Sequence, residues 1–105
     1  MATTTKIVKA TGISNSDAIL LYQDCPIYAI GTVFVGSGCT ATVQYTLDDA
    51  LREEYWFTLT DMGDLVANAD FTIVFPVKAV RLHQTAGSNA STLLLRQNDY
   101  AVNNS

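Results

Sequence analysis

The sequence predicts an all-β fold: a two-sheet antiparallel sandwich, jelly-roll-like, of about eight short strands. Three observations predict it. Val, Ile and Thr fill 28 of the 105 positions, and branching at Cβ suits a pleated strand better than a helix. Apolar and polar residues alternate with a period of two over several short runs, which sets one side of each run against a core. Gly, Pro, Asn, Asp and Ser interrupt these runs at the short intervals of an all-β chain.

The elements follow in order. A polar start, Met1–Thr4, reads as a loose end before a first strand at Thr5–Thr11. Strands at Ala18–Gln23 and Tyr28–Val35 come next. Gly36-Ser-Gly38 is tight enough to close a hairpin into Thr40–Leu47, where Val43, Tyr45 and Leu47 share one face. Asp48–Glu54 carries the one helical signal, with Asp49 placed to cap a single turn, but its flanks are strand-like and make it a loop. In Tyr55–Thr60, the residues Tyr55, Phe57 and Leu59 fall on the core side, and Trp56, Thr58 and Thr60 on the other. Asp61–Asp70 is a second long connection containing Gly63.

Phe71–Phe75 then puts Phe71, Ile73 and Phe75 on one face, and Val77–Gln84 turns Val80 and Leu82 one way and Arg81 and His83 the other. One apolar and one polar face is the pattern of an antiparallel sheet with a single buried side. Ala86-Gly-Ser-Asn-Ala90 connects to Ser91–Gln97, whose Leu93-Leu-Leu95 is apolar on both faces, as in a central strand or an interface. Asn98–Ser105 is polar and reads as a second loose end. No repeat, linker or low-complexity segment divides the chain, so residues 1–105 are expected to form one domain.

Composition narrows the function. Apolar residues make up 49% and charged residues 15%, the opposite of a disordered chain. A small domain with so few charges covers itself with Thr, Ser, Asn, Gln and some apolar groups, a surface suited to life in an assembly. The formal net charge is −4, and the basic residues Lys6, Lys9, Arg52, Lys78, Arg81 and Arg96 form no run. Phosphate-backbone affinity comes from clustered Lys and Arg, so no nucleic-acid partner is expected. The apolar stretch Ile27–Val35 falls far short of the ~20 residues of a spanning helix, and no membrane partner is expected. Met-Ala-Thr-Thr-Thr-Lys lacks the apolar centre of a secretory signal, so the expected setting is a cytoplasm.

Chemistry is sparse. Cys25 and Cys39, 14 positions apart, and the lone His83 do not make a zinc set. Two buried or half-buried thiols are expected, with a disulfide open if adjacent strands align them. Asp48, Asp49, Glu53, Glu54, Asp61, Asp64 and Asp70 lie in loops, where carboxylates are solvated, and no Asp-x-Asp-x-Asp-Gly calcium loop occurs. His83 has Ser88 and Ser91 nearby, but no Gly-x-Ser-x-Gly elbow accompanies them. Neither a catalytic site nor a cofactor is expected. The Asn89-Ala-Ser91 and Asn103-Asn-Ser105 triplets match a glycosylation pattern, and a turn explains the first better. Trp56 has three readings: packing at the core or an edge, a protein interface, or stacking on a sugar ring.

Tyr45-Thr-Leu-Asp-Asp49, then Trp56, Pro76-Val-Lys-Ala-Val-Arg-Leu82, Gly87 and Leu94-Leu-Arg-Gln97 form an ordered pattern within Thr40–Gln97. It resembles small β-sandwich proteins encoded among the structural genes of tailed bacteriophages. The charged Arg52-Glu-Glu54 loop and the Asp61–Asp70 connection depart from that pattern. The resemblance implies a virion structural protein assembled in the bacterial host cytoplasm, foremost a capsid decoration (cement) protein bridging capsid subunits. Its implied partners are the major capsid protein and further copies of itself, as a dimer or trimer. Met1–Thr11 is then the candidate arm, including Lys6 and Ile7, with Tyr22, Tyr28, Trp56 and Tyr100 as candidate interface aromatics. The competing expectation is a host- or glycan-binding module of a tail or head fibre.

Overall fold

The computed structural model describes residues 2–21, 29–59, 63–73 and 77–99, with side chains from residue 5 to residue 97 of those ranges. Among the described residues nine strands carry the fold: β1 (Ala2–Thr11), β2 (Ser14–Asn15), β3 (Ile19–Leu20), β4 (Ala29–Phe34), β5 (Thr40–Thr46), β6 (Trp56–Thr58), β7 (Ala69–Ile73), β8 (Ala79–Ala86) and β9 (Ala90–Asp99). A single 3-10 turn, η1 (Glu53–Tyr55), precedes β6. Sheet A has the order β1-β9-β4-β7, and sheet B the order β2-β8-β5-β6 with β3 also on β8. Every strand pairing is antiparallel.

β2 and β3 behave as one interrupted edge strand. Ser14 and Asn15 lie opposite Gln84 and His83, and Ile19 and Leu20 opposite Val80 and Ala79. Between them Ser16 donates its N–H to the Leu82 carbonyl at 2.8 Å, and Leu82 donates to Ser16 Oγ at 2.9 Å. With this edge counted once, each sheet has the strand order of a jelly roll. The expected all-β, jelly-roll-like sandwich is therefore present, and a fold of this kind fixes no function by itself.

The period-two pattern explains the core. Leu93 and Leu95 from central β9 meet Val33 and Ile73 of sheet A and Val43, Val80 and Leu82 of sheet B, all buried. β9 lies between β1 and β4; Leu93 and Leu95 face the core, whereas Leu94 lies on the outer side of sheet A. At Gly31 of β4 the missing side chain makes room for the buried ring of Phe71 on the neighbouring strand. Phe75, expected beside Phe71 and Ile73, lies outside the described residues.

A buried polar pin closes one end of the sandwich. Gln84 is fully buried and its amide donates to the Gly12 carbonyl at 2.9 Å and the Asn89 carbonyl at 2.7 Å. Ser91 Oγ donates to Gln84 Oε1 and accepts the Gly36 N–H at 2.9 Å. Two turns are thereby tied to the Gln84 amide and a third, at Gly36, through Ser91.

Several expectations change. The strand β1 begins at Ala2, and its backbone pairs with β9 from Ala2↔Asp99 to Thr11↔Ala90. Residues 2–4, Asn98 and Asp99 were expected to be loose ends, yet they belong to this ladder. Nor is Met1–Thr11 a free arm over its described residues; it is an edge strand. Leu47, Tyr55 and Phe57, expected on the core side, are 63%, 43% and 52% exposed, whereas Leu59 is buried as expected. Phe57 lies opposite Tyr45, on the side the alternation gave it, but Leu47 falls beyond the end of β5 and Tyr55 belongs to η1 rather than to a strand. Asp49 does not cap η1: its N-cap is Arg52, with no side-chain cap. Among the described residues, no helix is long and apolar enough to cross a membrane.

Candidate interface surfaces

Thr46, Trp56 and Arg81 lie on the outer side of sheet B, and the segment from Asp48 to Glu53 folds over them, while Tyr45 packs toward the core. Asp48 organises the turn after β5. Its carboxylate accepts the Arg52 N–H at 2.9 Å and the Ala50 N–H at 3.3 Å, and lies 3.2 Å from the Arg52 guanidinium. The hydrogen bond from the Arg52 backbone is the main cause that holds the Asp48 carboxyl below its ordinary pKa, with the Ala50 bond and the Arg52 charge acting the same way against burial.

This turn folds the following segment back over the sheet. Glu53 meets the Arg81 guanidinium in two parallel bonds of 3.0 and 2.6 Å, and Gln44 accepts from Arg81 Nε at 2.8 Å. Arg81 is only 7% exposed, and its guanidinium carbon sits 4.3 Å from the centre of the Trp56 ring. Trp56 Nε1 donates to the Leu51 carbonyl at 3.4 Å. The Arg81 hydrogen bond is the main cause that lowers the Glu53 pKa, assisted by the charges of Arg81 and His83 and opposed by desolvation.

The alternation of Val77–Gln84 thus placed Arg81 on the correct side. It did not reveal that the loop would cover it, because a buried arginine on a nominally solvent-facing strand position depends on partners distant in sequence. Trp56 is half-buried and has one ring face taken by a cation. That is edge packing, reinforced by cation–π attraction.

Sheet A presents a different surface. On its outer side Leu94 lies between Ile7 on β1 and Thr32 on β4. Ile30 and Phe34 flank Thr32 at alternate positions of β4. Ile7, Ile30 and Phe34 are 58%, 56% and 46% exposed, and Leu94 is half-buried. Lys9 and Arg96 border this apolar group, while Asp70 at its far side accepts from Thr32 Oγ1 at 2.8 Å.

The six expected interface residues have separate fates. Ile7 belongs to this exposed face. Lys6 points inward from β1 and donates through Nζ to the Leu20 carbonyl at 3.3 Å, tying the two sheets together. An inward lysine on an edge strand also discourages indiscriminate strand addition. Trp56 sits in the Arg81 cluster. Tyr22, Tyr28 and Tyr100 lie outside the described residues. Sequence reasoning missed Ile30 and Phe34, and it marked Leu94 only through the Leu93-Leu-Leu95 run, as a central strand or an interface. Ile30 and Phe34 stand two and four positions from Thr32 and Ile30 respectively in a run apolar at nearly every position, so alternation gave no polar side to contrast with them. Cys39 is a buried free thiol beside Gly36 and Gly87, and Cys25 lies outside the described residues.

No protein-family model and no curated protein match the chain. Among solved structures, the chain is similar to one from Bacillus endospore appendages, described as a family of disulfide-linked pili. That match has 19% sequence identity, covers 92% of this chain and 87% of the other, and has a TM-score of 0.47. A likeness at this level carries no functional argument.

Proposed function

We propose that this chain is a bacteriophage virion structural protein, a capsid decoration (cement) protein that contacts the major capsid protein and further copies of itself. The observation that carries the non-enzymatic, surface-forming part of this reading is the apolar outer face of sheet A. Ile7, Ile30, Phe34 and Leu94 form one contiguous group on a regular sheet, and such groups mark protein contacts. The virion setting rests on the sequence resemblance over Thr40–Gln97. In the fold, its shared residues build the Asp48 turn and the Arg81–Trp56 stack, which are scaffold. The glycan-binding alternative would need an open Trp56 face, and Arg81 occupies one of the two.

A cement protein works through modest contacts repeated by the symmetry of the lattice. β1 supplies one such contact. It is the margin of sheet A, and among the described residues nothing pairs with its outer edge. Lys6 guards the middle of that edge, while Ala2–Thr5 carries no charge and is open to pairing with a capsid strand. Deleting Ala2–Thr5 leaves most of the β1–β9 ladder and the whole core. The deleted protein is expected to melt cooperatively but to co-sediment more weakly with particles that lack the native chain. Equal co-sedimentation of the deleted and full-length proteins would contradict the role of this edge.

A further inference from the structure

We propose that two copies of this chain pair face to face through the outer side of sheet A, about a two-fold axis that sets Lys9 of each copy on Asp70 of the other. Strand register fixes where the outer side chains of this sheet stand. Ile7, Leu94, Thr32 and Asp70 form one row across β1, β9, β4 and β7. On one side of that row stands Ile30, opposite Arg96. On the other stand Lys9 and Phe34, both opposite Thr92 of β9.

The two charges are held apart. Lys9 is on the β1 margin of the sheet and Asp70 on the β7 margin, and both are exposed. Asp70 accepts from the Thr32 hydroxyl, which is neutral and leaves its charge uncancelled. Among the described residues, neither Lys9 nor Asp70 has an opposite charge for a partner, whereas Arg96 is engaged within the chain. A second copy, turned over, offers each margin the charge it lacks.

The lattice of the sheet tests that match. Neighbouring strands lie about 4.8 Å apart, and successive outer residues of one strand about 6.8 Å apart. The Lys9–Asp70 match alone then fixes the axis, which passes between β9 and β4 at about 25° to the strands. The apolar residues fall on one another as a consequence. Leu94 and Phe34 each come within about 2 Å of their own counterparts, and Ile7 within about 3 Å of Ile30 of the other copy. Arg96 falls over Thr5 and not over a second cation. The strands of the two copies cross at about 50°, between the aligned and orthogonal arrangements of packed sheets.

A contact of this kind is isologous and closes at two copies. Three rows over four strands cover about 400 Å² per copy, about half the ~800 Å² per partner of a standard interface. The dimer is therefore weak in free solution. It is the self-contact of the function proposed above and rests on that part of the reading alone, not on the virion setting.

The test reverses the charges in the full-length protein. Lys9→Asp and Asp70→Lys each set like charges together at both ends of the dimer. In sedimentation velocity from about 5 µM to about 500 µM, each should dimerise about tenfold more weakly than the unmodified protein. An equimolar mixture of the two should pair again as a heterodimer, because every contact then joins opposite charges. The double variant Lys9→Asp/Asp70→Lys should recover by itself, and added salt should weaken the unmodified dimer. Ile7→Glu/Ile30→Glu should stay monomeric. All four positions are exposed, and thermal melting verifies that each variant is folded.

Four results would each overturn the proposal: an unmodified protein that stays monomeric, growth past two copies, single charge variants that dimerise as tightly as the unmodified protein, or a mixture no tighter than its components. A monomer whose Ile7→Glu/Ile30→Glu variant also binds particles less would assign the face to the capsid protein and leave the virion reading standing. The expected dimer, in a chain absent from particles, would do the reverse.

Discussion

Replacing Gly31 by Ala probes the packing that sets sheet A over sheet B. A Cβ built at Gly31 would come within 3.0 Å of three atoms of the Phe71 ring, closer than real Cβ contacts are found. The ring is buried, at 7% exposure, and β7 is an edge strand that can give way only by loosening its pairing with β4. Two effects compete. Alanine restricts the unfolded chain and improves the strand by roughly 0.5–1 kcal/mol, whereas overpacking costs roughly 1–3 kcal/mol.

The clash involves several ring atoms rather than the tip of a flexible chain, so overpacking wins. The two ranges leave a net loss between about 0 and 2.5 kcal/mol, and a clash with several ring atoms places it at about 1–2 kcal/mol. At about 4–8 °C per kcal/mol for a domain near this size, the melting temperature should fall by about 4–16 °C. The assay is a double-mutant cycle in urea with Phe71→Leu. The smaller side chain leaves space for the new methyl, so Gly31→Ala should be neutral or stabilising in the Phe71→Leu background. An equal penalty in both backgrounds would refute the assigned contact.

Two other perturbations test the polar parts of the fold. Gln84→Leu leaves the Gly12 and Asn89 carbonyls without their donor in a buried place, so a loss of about 2–4 kcal/mol is expected by denaturant titration; a change within error would mean that the pin is not formed. The Glu53 carboxylate is held below its ordinary pKa, so its contribution is complete above the unfolded value, about 4.3, and is lost as pH falls through the lower folded value. Trp56 emission and melting temperature should therefore decline on acidification below about pH 4, less so in Glu53→Gln; an identical decline in both proteins would remove Glu53 from the cause.

Much of the fold was legible because burial acts on one side of a strand at a time. Val43 with Tyr45, Phe71 with Ile73, and Val80 with Leu82 announced the inner faces, and Leu93-Leu-Leu95 announced a strand whose outer side is apolar as well. Three things were hidden. Ser14–Asn15 is a strand of two residues whose pairing with Gln84 and His83 leaves no periodic trace. Leu47, Tyr55 and Phe57 carried core-like phase in the sequence, but Leu47 falls beyond β5 and Tyr55 in η1, and all three are exposed. Arg81 is buried by Glu53 and Trp56, and no local pattern foretells a loop folding back over a strand.

The candidate surfaces were harder to read than the strands. Ile7 was singled out as part of a candidate arm, and the structure sets it in an edge strand beside Leu94 of the central strand. The apolar group as a whole exists only once β1, β9 and β4 are in register. Strand pairing is a property of the whole chain, and a single sequence offers little to fix it.

The copy number of this chain in purified particles, measured by quantitative mass spectrometry against the major capsid protein, tests the central claim most directly. A decoration protein repeats with the capsid lattice, and hundreds of copies per particle are predicted. Absence from the particle would contradict the virion reading, and a handful of copies would contradict decoration in favour of a neck, tail or fibre position.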